Sequence, residues 1–207
     1  MTDIGEISFL PVLINKLRSV APNLDFSTVR SASVNLKYEM ESGKIDLAVG
    51  HLPDLKSEFH RRQLFSSNYV CLFRRGHPFE SAPDPLEAFM KAEHACASSS
   101  EIGRGRADEA MERLGVRRLI RLRVPHIVAL ADILESSNLL ATVPESFAKR
   151  SARHFDLAYA PHPISLPPIE IGIFWHAKYH RDPANQWLRA VIAELFQMNE
   201  PRVPHAT

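Results

Sequence analysis

The chain has 207 residues, 45% of them hydrophobic and 24% charged, with a formal net charge of +1, which is room for one large domain or two smaller lobes. The near balance of charge lacks the basic excess of a free-standing nucleic-acid binder. No run approaches the roughly 18 apolar residues that cross a bilayer, and Asp3 and Glu6 stand where a secretion signal carries basic residues.

In chain order, "IGEISF" reads as a strand, and Phe9, Leu10, Leu13, Ile14 and Leu17 fall at helical spacing with Pro11 in a first turn. "LDFSTVR" alternates as a strand and "SVNLKYEMESG" is a helix stopped by Gly43. "IDLAVG" then reads as a parallel strand covered on both faces. Residues 3–50 are thus expected to run strand–helix–strand–helix–strand in a right-handed parallel sheet. "RRQLFSSNYVCLFRR" follows as strand. Helices at "DPLEAFMKA", "GRADEAMERLG", "PHIVALADILESS" and "ESFAKRSARHF" then alternate with strands at "HACASSS", "RLIRLRV", "LLATVP" and "LAYAPHPI". "IEIGIFWHA" is a long strand. "DPANQWLRAVIAELFQ" is a closing helix with Asp182 as its cap, Pro183 in first position, and Trp187, Leu188, Val191, Ile192 and Leu195 on one face.

The expected architecture is α/β: two Rossmann-like lobes with a cleft between them. Residues 1–75 and 175–207 form the first lobe and 76–174 the second. Ligands in such sheets gather outside the carboxyl ends of the strands. Asp46, at the start of "IDLAVG", is at the wrong end for catalysis and is read as a structural residue at the strand entry. No GxSxG elbow is present, and "SSS" at 98–100 has no matching triad. His176 and His180 in "HAKYH" lie on a strand end and loop rather than a helix face, and no HExxH occurs, so no metal is expected. Cys71 and Cys96 lie apart without a CxxC, the pattern of reduced thiols.

Three stretches suit binding. "IGRGRADEAM" sets Gly103 and Gly105 around Arg104 before a helix, either a solvated basic turn or an anion site. His126 opens another helix after a strand, as a cap or as a hydrogen-bonding group for a ligand. Ser8, Phe9, Leu10 and Ser33 follow the first two expected strands, and Ser99 follows "HACA". Few acids share those strand ends, which counts against an enzyme. A solute receptor for transport is the other alternative.

"MESGKIDLAVGHLPDL" with "RRQLFSSNYVCLFRRGHP" resembles the regulatory domain of LysR-type transcriptional regulators. "DIGEISFLPVLI", "VPHIVALADILESSNLLATVP" and "FWHAKYHRDPANQWLR" are similar to the subgroup controlling naphthalene, salicylate and nitrotoluene catabolism. The resemblance implies a fold like type 2 periplasmic binding proteins and a small aromatic carboxylate, such as a hydroxybenzoate, as inducer. It also implies a homodimer or homotetramer in the cytoplasm, no cofactor, no catalysis and no membrane. The family's winged helix-turn-helix is not in this sequence, so DNA contact is expected to belong to that missing N-terminal domain. The expected site residues are Ser8, Phe9, Leu10, Ser33, Ser99, Gly103, Arg104, Gly105 and His126. Relatives of the subgroup tend to carry "TGHGE" where this chain has "IGRGR", which puts fixed positive charge where they have imidazole.

Overall fold

The computed structural model describes residues 1–30, 35–97 and 106–197, the last range without the side chain of Arg106. The chain divides into two compact units, Met1–Ser66 with Glu170–Thr207, and Ser67–Ile169.

The first unit begins with helix α1 (Asp3–Val20), where a strand over 4–9 was expected. Thr2 caps it by accepting from the Gly5 amide at 3.3 Å, and Asp3 and Glu6 occupy its first turn. Gly5, Phe9, Leu13 and Leu17, four apart, are its buried residues. That period and the cap outweigh the alternation of Ile4, Glu6 and Ser8. Pro11 sits inside the helix, at an exposed position, instead of in its first turn. No strand forms over 24–30, although one was expected there.

Helix α2 (Leu36–Glu41) is capped by Asn35 and ends before Gly43, whose φ of +81° is the left-handed stop that favours glycine. Strand β1 (Ala48–Gly50) is only three residues long. It pairs antiparallel with β8 (Ile169–His176), whose other edge carries β2 (Phe59–Ser67). The parallel pairing expected for "IDLAVG" is therefore replaced, because its partner is the distant return strand and not a neighbour joined by a crossover helix.

Helix α7 (Pro183–Phe196) starts as expected, with Asp182 accepting from the Asn185 amide at 2.8 Å and Pro183 at its first position. Its buried face holds Val191, Ile192, Ala193 and Phe196 together with the polar Asn185 and Arg189, whereas Trp187 is 38% exposed and lies off that face. Phe9, Leu13, Leu17, Leu64, Ile173 and Phe196 are central to the unit's core.

The second unit follows the expected alternation. Its elements are β3 (Tyr69–Arg74), α3 (Pro85–Lys91), β4 (Glu93–Ala97), α4 (Arg106–Arg113), β5 (Leu119–Val124), α5 (Leu130–Glu135), β6 (Leu140–Pro144), α6 (Glu145–His154) and β7 (Leu157–Pro161). The sheet order is β5-β4-β6-β3-β7. β4 runs parallel to β5 and β6, and β3 antiparallel to β6 and β7. Val70, Cys71, Leu72 and Phe73 are all buried, as befits a strand flanked on both sides and covered on both faces. The core packs Phe73, Phe79, Phe89, Met111 and Leu140 together. The two units thus form a mixed α/β structure on two sheets.

Candidate functional site

The carboxyl ends of the parallel strands β4, β5 and β6 are where a ligand of this fold would be met. The register sets Ala97 opposite Val124, so β4 and β5 end level. Two residues beyond Val124, His126 occupies the N-cap of a 3-10 turn (Ile127–Ala129) that runs into α5, with φ −121° and ψ 124°. The residue is half-buried, and its side chain makes no capping bond. Ser99, Gly103, Arg104 and Gly105, between β4 and α4, lie outside the described residues, as does Ser33.

In the first unit, Phe9 is buried in the core, edge-on to Phe196 at 4.8 Å and 5.9 Å from Phe65. Ser8 and Leu10 are half-buried on α1. The start of that helix lies at Thr2–Gly5, so the expected helix N-terminus at Ser8–Pro11 is not there. Asp46 precedes β1, and its carbonyl accepts from Asn185 Nδ2 at 2.9 Å.

The second unit also contains a polar cluster that sequence reading missed. Asp108, in the first turn of α4, is 12% exposed and receives two arginines. Arg118, 3% exposed, donates to one carboxylate oxygen. Arg123 donates to the other at 3.2 Å and to Cys96 Sγ at 3.2 Å. Arg118 also donates to Thr142 Oγ1 on β6 at 3.4 Å. His162 Nε2 meets the same hydroxyl at 3.2 Å, its Nδ1 lying 3.1 Å from the Ile164 amide. The fully buried His94 contacts Phe89 O through Nε2 at 2.9 Å, and its Nδ1 has no hydrogen-bond partner.

Burial pushes both imidazoles down to about 4, with the charge of Arg118 adding to the shift, so both are neutral at neutral pH. Burial, and then the nearby Asp108 carboxylate, push the Cys96 thiol up. This cluster therefore supplies neither a thiolate nor a base poised near neutral pH; it is built to hold shape.

His176 accepts from the Lys178 amide at 3.2 Å, and His180 Nδ1 accepts from Trp175 Nε1 at 3.2 Å. Among the described residues, no three histidine, cysteine, aspartate or glutamate side chains come together to hold a metal. No helix among them is long and apolar enough to cross a membrane.

The LysR substrate binding domain family matches residues 1–197. The chain is 48% identical over 196 residues to the HTH-type transcriptional activator NagR of Ralstonia sp, covering 95% of this chain and 65% of that protein. It is 47% identical over 196 residues to the HTH-type transcriptional activator NahR of Pseudomonas putida, with the same coverage. The chain thus spans just under two thirds of the length of these relatives. The crystal structure of the regulatory domain of MexT, a transcriptional activator in Pseudomonas aeruginosa, superposes with a TM-score of 0.80 at 26% identity, over 93% of this chain and 94% of that one. The chain belongs to the LysR substrate-binding domain family, with the type 2 periplasmic-binding-protein-like fold of its regulatory domains.

Proposed function

We propose that this domain binds a small aromatic carboxylate of the hydroxybenzoate class and thereby controls transcription activation by its parent protein. The observation that carries the reading is near-half identity to two activators along 95% of the chain. In chemical terms, Arg104 would hold the ionised carboxylate with paired hydrogen bonds, and the backbone around Gly103 and Gly105 would allow close approach. Ser99 and His126 would complete the site within the second unit.

Binding makes and breaks no bond. It acts by favouring the conformation with the higher affinity for the acid. The parent acts in the cytoplasm as a homodimer or homotetramer, and touches DNA through parts that this sequence does not cover.

A thermal-shift titration tests the reading, with salicylate, other hydroxybenzoates, benzoate and non-aromatic acids against the wild type and Arg104→Ala. A saturating rise for one aromatic acid is expected, following RT ln(1 + [L]/Kd), and it should vanish in the variant. The absence of a rise for every aromatic acid would exclude the ligand class.

A further inference from the structure

One short turn joins four elements of the first unit. Ala177–Tyr179 form a 3-10 turn between β8 and α7, and the Ala177 amide donates to the Glu58 carbonyl, next to β2, at 2.8 Å. Tyr179 packs on Gly43, and its hydroxyl donates to the Glu41 carbonyl at the end of α2 at 3.3 Å. The His180 carbonyl accepts from Arg189 at 2.9 Å and from Gln186 at 3.2 Å, both on α7.

His180 is the residue of this turn whose charge can change near neutral pH and whose ring is bound. Its Nδ1 accepts from Trp175 Nε1, so the neutral ring keeps its proton on Nε2. Trp175 is 7% exposed, and its N–H has to find an acceptor within the fold. The His60 ring on β2 lies 4.3 Å from the His180 ring and 5.5 Å from the indole. Arg189 covers the same indole from α7, and Arg181 is next in the chain. Asp182, the nearest acid in sequence, is turned to the Asn185 amide. Desolvation, and then His60, Arg189 and Arg181, hold the His180 imidazole below its ordinary 6.5. A proton on Nδ1 sets two donors face to face and adds positive charge beside these groups.

We propose that this turn is a proton-operated latch of the first unit: neutral His180 pins it to the Trp175 indole, and protonation of His180 Nδ1 releases it. The direction follows from the lowered proton affinity. The latch is closed above the ordinary 6.5 and opens as pH falls below it.

The test is hydrogen exchange at the Ala177 and Asp182 amides, whose acceptors are the Glu58 and Tyr179 carbonyls. Protection factors are compared at about pH 7.5 and pH 5.5 for the wild type, His180→Gln and His60→Gln. In the wild type, protection should fall about tenfold at the lower pH. His180→Gln keeps an acceptor for the indole without a titrating ring, so its protection should stay level. Loss of the His60 ring removes one cause of the lowered affinity, so release in His60→Gln should begin at higher pH. Indole emission of Trp187→Phe, which keeps the buried Trp175 as sole reporter, should shift to the red over the same range. Constant protection in the wild type would overturn the proposal, and so would an equal fall in His180→Gln. An unmoved onset in His60→Gln would remove the paired ring from the device and overturn it as stated.

Discussion

Each unit buries an arginine, and the two are satisfied in different ways. In the first unit Arg189 is held by dipoles and a ring. It donates to Asn185 Oδ1 and to the His180 carbonyl, each at 2.9 Å, and its guanidinium lies 4.1 Å from the Trp175 ring centroid. In the second unit Arg118 is held by the full negative charge of Asp108. A dipole-held cation depends on several weak partners, none indispensable. A charge-held one depends on a single group, and losing it leaves a bare ion in a low-dielectric interior.

That contrast is broken or sharpened most strongly at Asp108. Asp108→Asn keeps the shape of the side chain but strands Arg118, and should cost about 3–5 kcal/mol in urea unfolding. A loss below about 1 kcal/mol would mean that Arg118 finds other partners.

The pH dependence comes next. His94 and His162 hold pKa values near 4 in the folded chain against an ordinary 6.5. Between those values the unfolded chain binds more protons. Stability is therefore full above about pH 6.5 and falls as pH drops toward 4, by up to about 1.4 kcal/mol per pH unit for each imidazole. Urea midpoints at pH 7, 5.5 and 4.5 should show this, and His162→Gln should remove about half of the slope. A flat profile would contradict burial as the cause.

The smallest effect is expected at Asn185→Ala. It removes one acceptor from Arg189 and the donor to the Asp46 carbonyl, at about 1–2 kcal/mol. A cost equal to that of Asp108→Asn would erase the distinction between the two arginines.

The same contrast explains what the sequence made legible. In the second unit most strands are followed closely by a helix, so local period, caps such as Asp84, and Gly and Pro punctuation locate each element. The family motifs likewise pointed to the fold class. In the first unit β1 finds its partner in β8, more than a hundred residues along the chain, and neither its length nor its direction is written locally. Trp187 looked apolar enough for the inner face of α7, but the inward positions went to Asn185 and Arg189, whose polar partners lie elsewhere in the chain. The Asp108 cluster was illegible for a related reason. In "GRADEAMERLGVRRLIRLRV" nothing local pairs these charges, and only the folded chain brings arginines ten and fifteen positions further on onto one carboxylate. Of the expected site, His126 after β5 and Ser8, Phe9 and Leu10 along α1 are described, and Phe9 went to the core because the helical period of α1 turns it inward.

The chain has two tryptophans, Trp175 and Trp187, and both fall in the first unit, whereas both cysteines, Cys71 and Cys96, fall in the second. Each half therefore carries its own reporter. Indole fluorescence follows the melting of one, and the rate of thiol labelling follows the opening of the other, in an unlabelled natural chain. Coincident transitions from the two signals would establish that the halves unfold as one cooperative body, and separated transitions would give each its own stability.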